Sequence, residues 1–386
     1  KLTMSKNAVK SRHRSKEAAI LKALCKVPVD VVQLRKFAIA PDGLLNNDIR
    51  RQVWPYLLNT VRQELDKPQN VRSHRECQQV LLDVNRSGKR FPPDLPEDRI
   101  TELQDQLTDL ILSVLTLHPE LNYYQGYHDI CITFLLACGP DLSLLLVDRL
   151  STHHLRDFMD PTMNSTTHIL NYLIPILNKS NPELVEYIAK SEVGTTFAIS
   201  WLITWYSYVL RNQSDIERLY DFFLSCNPLM PIYFAAQIVL LNSSQIMTGE
   251  CEMSRVYQVL LQSARQPTLP LEYLISKSSD SFILFPPSSL AREAAQYYKN
   301  NLAVSTFCDY ALVARHETPD VVLRRRGIYP DDKLPKKQEA PVVSLKQSYW
   351  NASRTAALAV SGAVGAVVVA ASSLDWLPDF DLLVLP

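Results

Sequence analysis

The sequence predicts an all-α protein, in which one domain of many helices is followed by a segment able to cross a membrane. Three observations favour this class. Apolar residues recur at helical spacing through the body of the chain, residues 41–315, where prolines repeatedly interrupt them. Alternating strand-like runs are scarce, and the hairpin dipeptide Asp-Gly occurs only at residues 42–43. Near the C-terminus, residues 355–374 carry no charge.

The clearest helical stripe lies between Glu97 and His118, and its apolar residues occur at positions 103, 107, 110, 111 and 114. Other segments of helix length cover residues 73–87, 123–138, 141–157, 195–210, 214–225 and 229–242. The apolar run at 229–241 is too short to span a membrane, so we expect a helix of the core there. These segments together predict a single domain.

Both flanks of this body have another composition. Residues 1–40 are expected to form a basic arm and leading helices, with Lys or Arg at positions 1, 6, 10, 12, 14 and 16 and no secretory signal. Because the chain starts with Lys1 in place of methionine, we expect the true start to lie upstream. Residues 316–354 combine prolines with charge clusters, which is typical of a polar linker.

Residues 355–386 are predicted to form a membrane anchor. As a helix, the uncharged run 355–374 would be about 30 Å long, the thickness of the hydrocarbon layer. It is apolar on all sides and follows a linker, which favours a membrane span over a buried core helix. Basic residues precede the run and acidic residues follow it, so the positive-inside rule predicts that the helical domain faces the cytosol. A hairpin insertion that returns the tail to the cytosol is an alternative.

Composition argues against several functional classes. Forty basic and forty acidic residues balance, so no overall field attracts nucleic acid. The nine glycines form neither G-x-x-x-x-G-K-[ST] nor G-x-G-x-x-G, the loops that hold phosphates. The seven cysteines form no C-x-x-C, and H-E-x-x-H is absent. We therefore expect no nucleic acid, no metal and no cofactor of the chain's own; any nucleotide must be held by another molecule.

The first motif whose residues could take part in chemistry is Val-Leu-Leu-Asp-Val-Asn-Arg, residues 80–86. It is predicted to end a helix, with Gly88 as a left-handed stop. Arg86 would then reach beyond the helix end, and Asp83 would lie near enough to hold its guanidinium. By spacing alone, a cation favoured by the helix dipole explains Arg86 more simply.

The second motif is Leu-Asn-Tyr-Tyr-Gln-Gly-Tyr-His-Asp, residues 121–129. An apolar run follows it, so Gln125 and Gly126 are predicted at a helix entrance, where glycine permits close backbone approach. Taken alone, the segment is better explained as an aromatic loop that fastens two helices. Tyr124 could stack at an interface or pack within the domain.

Together, these segments resemble the paired signatures I-x-x-D-x-x-R and Y-x-Q-G of the TBC-domain family, the GTPase-activating proteins of Rab GTPases. Three further elements agree in order over residues 41–240: Gly43-Leu44 with Arg51-Gln52-Val53-Trp54, the tryptophan segment 200–205, and Arg218-Leu219-Tyr220-Asp221. Two departures occur, Val80 in place of isoleucine and Tyr127-His128 in place of Met-Asn. They leave the residues expected to do the chemistry intact.

The resemblance implies an all-α Rab-GAP domain whose partner is a Rab GTPase in its GTP form. Arg86 would act as an arginine finger and Gln125 as a glutamine finger, and GTP and magnesium would belong to the partner. Supporting roles are implied for Asp83, Tyr124 and Gly126, and structural roles for Trp54, Trp201 and Asp221. With the predicted anchor, the resemblance implies a location at the endoplasmic reticulum membrane, with the domain in the cytosol, and a Rab of traffic between endoplasmic reticulum and Golgi.

Two other functions are compatible with the sequence. A catalytically silent Rab-binding scaffold or tether would bind Rab·GTP without accelerating hydrolysis. An unrelated helical membrane adaptor would leave Arg86 and Gln125 far apart or buried. The sequence does not identify the Rab.

Overall fold

A computed structural model describes residues 6–61, 65–294 and residue 318, and every regular element within them is helical. All of them belong to residues 1–329, the first of two units into which the chain divides. The predicted all-α class is confirmed for this part of the chain. No helix in the described ranges is long and apolar enough to cross a bilayer. The predicted span at 355–374 and most of the predicted linker lie outside the described residues.

The α-helices of the described part follow one another along the chain. Their bounds are α1 Lys6–Leu24, α2 Val31–Ile39, α3 Asn47–Leu57, α4 Cys77–Arg86, α5 Glu97–Leu117, α6 Tyr127–Cys138, α7 Pro140–Thr152, α8 Asn164–Leu170, α9 Leu173–Ser180, α10 Pro182–Lys190, α11 Ile199–Ile203, α12 Gln213–Ser225, α13 Met230–Leu241, α14 Ser243–Met247, α15 Met253–Ser263, α16 Leu271–Leu284 and α17 Pro287–Ala294. Four 3-10 turns, Val71–Ser73, Ser87–Arg90, Arg156–Met159 and Thr196–Ala198, complete the list.

Two helices, α6 and α13, form the centre of the domain, and most of their side chains are buried. Helix α6 packs against α3, α5, α7 and α12, whereas α13 packs against α9, α11 and α16. The core helix predicted at 229–241 is confirmed. Burial of these nearly continuous apolar faces is the dominant stabilising contribution, at roughly 25 cal/mol per Å² of apolar surface.

Local sequence signals set several helix ends. The side chain of Asn46 accepts a hydrogen bond from Ile49 N at 3.0 Å and so caps the start of α3. Asn181 caps α10 in the same way, and Pro182 occupies the first turn, where its missing N–H costs nothing. The helix predicted between Glu97 and His118 is observed as α5.

Two predictions about helices were wrong, one about a helix end and one about the continuity of a helix. Gly88 is not a left-handed stop, because the chain continues from α4 into the 3-10 turn Ser87–Arg90. The helix predicted at 195–210 is interrupted, since Trp205 and Tyr206 take positive φ values of 46° and 67°. Both aromatic side chains are buried against α12, so tertiary packing stabilises a backbone conformation that the local sequence disfavours.

Candidate functional site

Arg86 is the last residue of α4, and its side chain is exposed. It makes no hydrogen bond or ion pair with any other described residue. The guanidinium is therefore held at the end of a helix that is itself fixed against the core through Val80 and Val84. This arrangement presents a permanent cation to solvent.

Asp83 does not hold Arg86, contrary to the prediction from their spacing. Its carboxylate is buried, where Oδ2 accepts a hydrogen bond from the hydroxyl of Tyr123 at 2.8 Å and Oδ1 accepts one from Gln79 Nε2 at 3.3 Å. Asp83 points into the domain, whereas Arg86 points out of it. The carboxylate thus supports the site by joining α4 to the loop that carries Gln125.

The Asp83–Tyr123 hydrogen bond has a defined direction. Burial raises the pKa of the Tyr123 hydroxyl, and the neighbouring Asp83 carboxylate raises it further. The phenol therefore keeps its proton and donates a hydrogen bond to the carboxylate. Nδ1 of His128 lies 3.3 Å from the same hydroxyl.

Gln125 lies in the turn immediately before α6, as predicted, and its side chain is exposed without a hydrogen-bond partner among the described residues. The next residue, Gly126, has a φ of 105°, and a Cβ at this position would lie 2.9 Å from Cγ2 of Thr204. Glycine is thus needed for both its backbone conformation and the close approach. This contact fixes the turn against the segment after α11.

Tyr124 packs within the domain. Its hydroxyl donates to the carbonyl of Ile203 at 2.9 Å, and its ring lies 5.6 Å from that of Tyr127 and 6.2 Å from that of Phe158. Burial raises the pKa of the Tyr124 hydroxyl well above its ordinary value, so it stays a donor. Tyr124 and Gly126 therefore hold the two sides of Gln125.

A second link joins the two motifs. Arg90, in the 3-10 turn after α4, donates from Nε to Asp129 Oδ1 at 3.2 Å, in the first turn of α6. Both side chains are largely buried. The sequence analysis missed this pair because the partners are 39 residues apart and no local pattern relates them. Tyr123 could have been found, since it is the tyrosine of the Y-x-Q-G signature.

The two predicted fingers therefore belong to adjacent segments, tied together by Asp83–Tyr123 and Arg90–Asp129. Each finger is exposed, and neither has an internal partner among the described residues. A cation and a carboxamide held in this way can act on a charged group brought by another molecule. The geometry disfavours the unrelated-adaptor hypothesis, which requires the two to be distant or buried.

Trp54, Asp221 and the Gly43-Leu44 pair meet in a buried centre, in which Asp221 lies on α12. One carboxylate oxygen accepts hydrogen bonds from Trp54 Nε1 at 2.9 Å and Arg50 Nε at 3.1 Å. The other accepts from Leu44 N at 2.9 Å and from a second Arg50 nitrogen at 3.0 Å. A Cβ on Gly43 would lie 2.5 Å from that oxygen. These contacts join the chain entrance to α3 and α12, away from solvent.

Arg50 was missed by sequence analysis, which selected Arg51 from the Arg-x-x-Trp pattern. Arg51 is exposed and pairs with Asp48, whereas Arg50 is buried and also pairs with Glu217 at 3.0 Å. Helical spacing could have identified it, because Arg50 precedes Trp54 by four residues and shares its face.

Trp201 lies in the core. Its ring contacts those of Phe197 at 5.4 Å and Tyr206 at 6.3 Å between centroids. Among the described residues, no group of three or more His, Cys, Asp or Glu side chains could hold a metal ion.

Comparison with known proteins relates this fold to a family. The family model of the Rab-GTPase-TBC domain matches residues 47–247, more than half of the chain. The chain belongs to the Rab-GTPase-TBC domain family. The resemblance inferred from the paired motifs is thereby confirmed.

Individual relatives agree with this TBC assignment. The chain is 47% identical over 390 residues to TBC1 domain family member 20 of Bos taurus, covering 97% of this chain and 94% of that protein. GTPase-activating protein gyp10 of Schizosaccharomyces pombe is 34% identical over 247 residues, covering 63% of this chain and 64% of its own length. The crystal structure of the Ypt/Rab-GAP domain of Gyp1p shares the fold, with a TM-score of 0.56 at 16% identity, covering 71% of this chain and 99% of that one.

Within this TBC domain, the signature segments therefore lie in two separate regions. The paired motifs carry the exposed side chains of the candidate site, Arg86 and Gln125. The Gly-Leu, Trp54 and Arg-x-x-Asp segments build the buried centre at Asp221.

Proposed function

We propose that this chain is a GTPase-activating protein for a Rab-family GTPase and that it inserts Arg86 and Gln125 into the partner's GTP-bound active site. The observation that carries the proposal is the exposed pair on adjacent, mutually tethered segments. Membership of the Rab-GTPase-TBC family supports it, as do relatives that are named GTPase-activating proteins.

Arg86 supplies electrostatic stabilisation. GTP hydrolysis by a GTPase alone is slow, because charge on the transferring phosphoryl group and the leaving group is poorly stabilised. A guanidinium supplied in trans contributes about 10³–10⁵ in rate, which corresponds to roughly 4–7 kcal/mol. The planar fork of arginine bridges two oxygens, which a lysine cannot do. Because the backbone of α4 is fixed before the partner arrives, insertion has to order only the rotamers of the Arg86 side chain.

Gln125 orients the attacking water. A carboxamide accepts a hydrogen bond from the water and at the same time donates one to a phosphoryl oxygen. In this role it replaces the glutamine of the Rab itself. No general base is required of this chain, since positioning and electrostatics provide the effect. The contacts of Tyr124 and Gly126 hold the backbone of the turn that carries Gln125.

The proposal extends to the surroundings of the reaction. GTP and magnesium are held by the Rab, and the chain contributes no cofactor. The Rab acts between endoplasmic reticulum and Golgi, and residues 355–374 anchor the chain in the endoplasmic reticulum membrane with the TBC domain in the cytosol. The uncharged run and the distribution of charge around it support this orientation. Protease treatment of intact microsomes tests it: the TBC domain should be digested, and its protection would overturn the topology.

The central test is single-turnover GTP hydrolysis by a panel of GTP-loaded Rab GTPases with the full-length chain. For the best substrate, Arg86→Ala should lower kcat/KM about a thousandfold, and Gln125→Ala about a hundredfold. Arg14→Ala and Gln258→Ala replace exposed side chains of the same types in α1 and α15 and should leave the rate unchanged. Full activity of Arg86→Ala would overturn the mechanism. Tight binding of Rab·GTP with hydrolysis at the intrinsic rate would instead establish the silent scaffold.

A further inference from the structure

Helix α4 has an exposed face with a distinct composition. Its exposed residues are Gln78, Gln79, Leu82, Asn85 and Arg86. At 100° per residue, they fall within a stripe about 120° wide. Leu82 lies at the centre of the stripe, and its neighbours are polar. The face carries no carboxylate, and Arg86 is its only charge.

The fold does not account for Leu82. The opposite side of α4 packs into the core through Cys77, Val80 and Val84, whereas Leu82 is 51% exposed. A single exposed leucine needs no special explanation in itself. The position of this one is informative, because Leu82 precedes Arg86 by four residues, and side chains at this spacing are neighbours about 5–6 Å apart.

The proposed function fixes what this face meets. For Arg86 to reach the phosphates of GTP, the end of α4 must point into the nucleotide pocket of the Rab. The preceding turn then lies over the rim of that pocket, so that Leu82 faces protein surface and not the nucleotide. Because Asp83 and Tyr123 fasten α4 on its inner side, the helix presents Leu82 and Arg86 as one rigid unit.

We propose that Leu82 is the apolar anchor of the Rab interface, packing on an apolar patch beside the nucleotide pocket of the GTP-bound Rab. The inference rests on the proposed function, since Arg86 determines which face meets the partner. An aliphatic side chain encircled by Gln78, Gln79 and Asn85 has the organisation of a protein interface, an apolar centre within a polar rim.

This role predicts a specific kinetic signature. Leu82 contacts the Rab equally in the ground state and in the transition state, because it touches no reacting atom. Its loss should therefore raise KM and leave kcat unchanged. If Leu82 is a hot spot at the centre of the interface, as proposed, its truncation should raise KM by about tenfold or more.

Initial rates of phosphate release, measured against the concentration of the Rab·GTP that the full-length chain activates best, test the proposal. Leu82→Ala should raise KM at least about tenfold with kcat within about twofold of wild type, and Leu82→Asp should raise KM further. Leu82→Met, which keeps the apolar volume, should restore most of the affinity. Ile283→Ala removes an aliphatic side chain that is 76% exposed on α16 and should change neither constant.

An unchanged KM in Leu82→Ala would overturn the proposal, and so would a fall in kcat alone. These outcomes are distinct from failure of the proposed function. If Leu82→Ala behaves as wild type while Arg86→Ala is inactive, the fingers stand and the anchor does not. If no Rab is activated by the wild-type chain, or if Arg86→Ala is fully active, the proposed function itself fails.

Discussion

Replacement of Asp221 by asparagine tests the buried centre with a minimal change in shape. Asp221 is fully buried and accepts four hydrogen bonds, two on each carboxylate oxygen. In asparagine, one of these oxygens becomes an NH₂ group, which is a donor and cannot accept. In Asp221→Asn, two buried donors therefore face the new NH₂ group, which is itself a donor and cannot accept from them.

The magnitude follows from which donors are lost. If the NH₂ replaces Oδ2, then Leu44 N and one Arg50 nitrogen lose their acceptor; if it replaces Oδ1, Trp54 Nε1 and Arg50 Nε do. Each unsatisfied buried group costs about 1–3 kcal/mol. The Arg50 guanidinium retains Glu217 as a counter-charge, which limits the loss. We expect a decrease of about 4 kcal/mol in the free energy of unfolding, a large part of the 5–15 kcal/mol typical of a domain.

Urea unfolding followed by tryptophan fluorescence measures this loss, because Trp54 donates directly to the altered carboxylate. With an m-value of about 2–3 kcal/mol/M, the midpoint should fall by about 1.5 M. Asp48→Asn is the matched control, since Asp48 on α3 is an exposed carboxylate paired with Arg51, and such surface pairs contribute little. If Asp221→Asn lowers the midpoint no more than Asp48→Asn, the carboxylate is not the centre of this network.

Two further predictions concern hydrogen bonds, the first of them beside the proposed fingers. Tyr123→Phe removes the hydrogen-bond donor to Asp83 and should loosen the loop that carries Gln125. It should lower kcat/KM about tenfold and reduce the free energy of unfolding by about 1–3 kcal/mol. In a double-mutant cycle with Asp83→Asn, the two effects should be non-additive. The second concerns pH: burial alone would lower the pKa of His118, but hydrogen bonds to Asp148 and Glu120 outweigh it and raise the pKa to about 9. Because the folded state binds this proton more tightly, the stabilisation is complete below about pH 6.5 and is lost as the pH rises to about 9, at most about 3 kcal/mol, as urea midpoints across this range should show.

Each of these predictions has a distinct contrary result. Strict additivity in the double-mutant cycle would show that Tyr123 and Asp83 act separately. For the pH dependence, His118→Gln is the control, because it cannot take up the proton. Equal slopes of stability against pH in His118→Gln and wild type would remove His118 as the cause.

Much of the fold was accessible from the sequence, because helical periodicity and capping are local. The stripe between Glu97 and His118 predicted α5, and the apolar run at 229–241 predicted a core helix. The segment 195–210 was not predictable in this way. Its left-handed residues, Trp205 and Tyr206, are stabilised by aromatic contacts with α12, which no local pattern records.

The candidate site likewise has features that local sequence predicts and features that depend on tertiary packing. The identities of Arg86 and Gln125 and their positions at a helix end and a helix entrance follow from the two motifs. The partner of Asp83 does not follow from the motifs. A spacing of three residues on a helix allows Asp83 to contact Arg86, but the Asp83 side chain points inward and binds Tyr123 instead. Arg90 and Asp129 were invisible for a similar reason, since only the packing of α4 against α6 brings them together.

The sequence by itself determined the helical class, the family and the two residues that we propose to act on a partner, because these depend on periodicity and on residue types at fixed spacing. Only the tertiary structure decided that Asp83 binds Tyr123, that Asp221 gathers Arg50, Trp54 and Leu44, and that Leu82 stands exposed beside Arg86. Those outcomes depend on which face of each helix is turned inward, and that is set by the simultaneous packing of all the helices around α6 and α13.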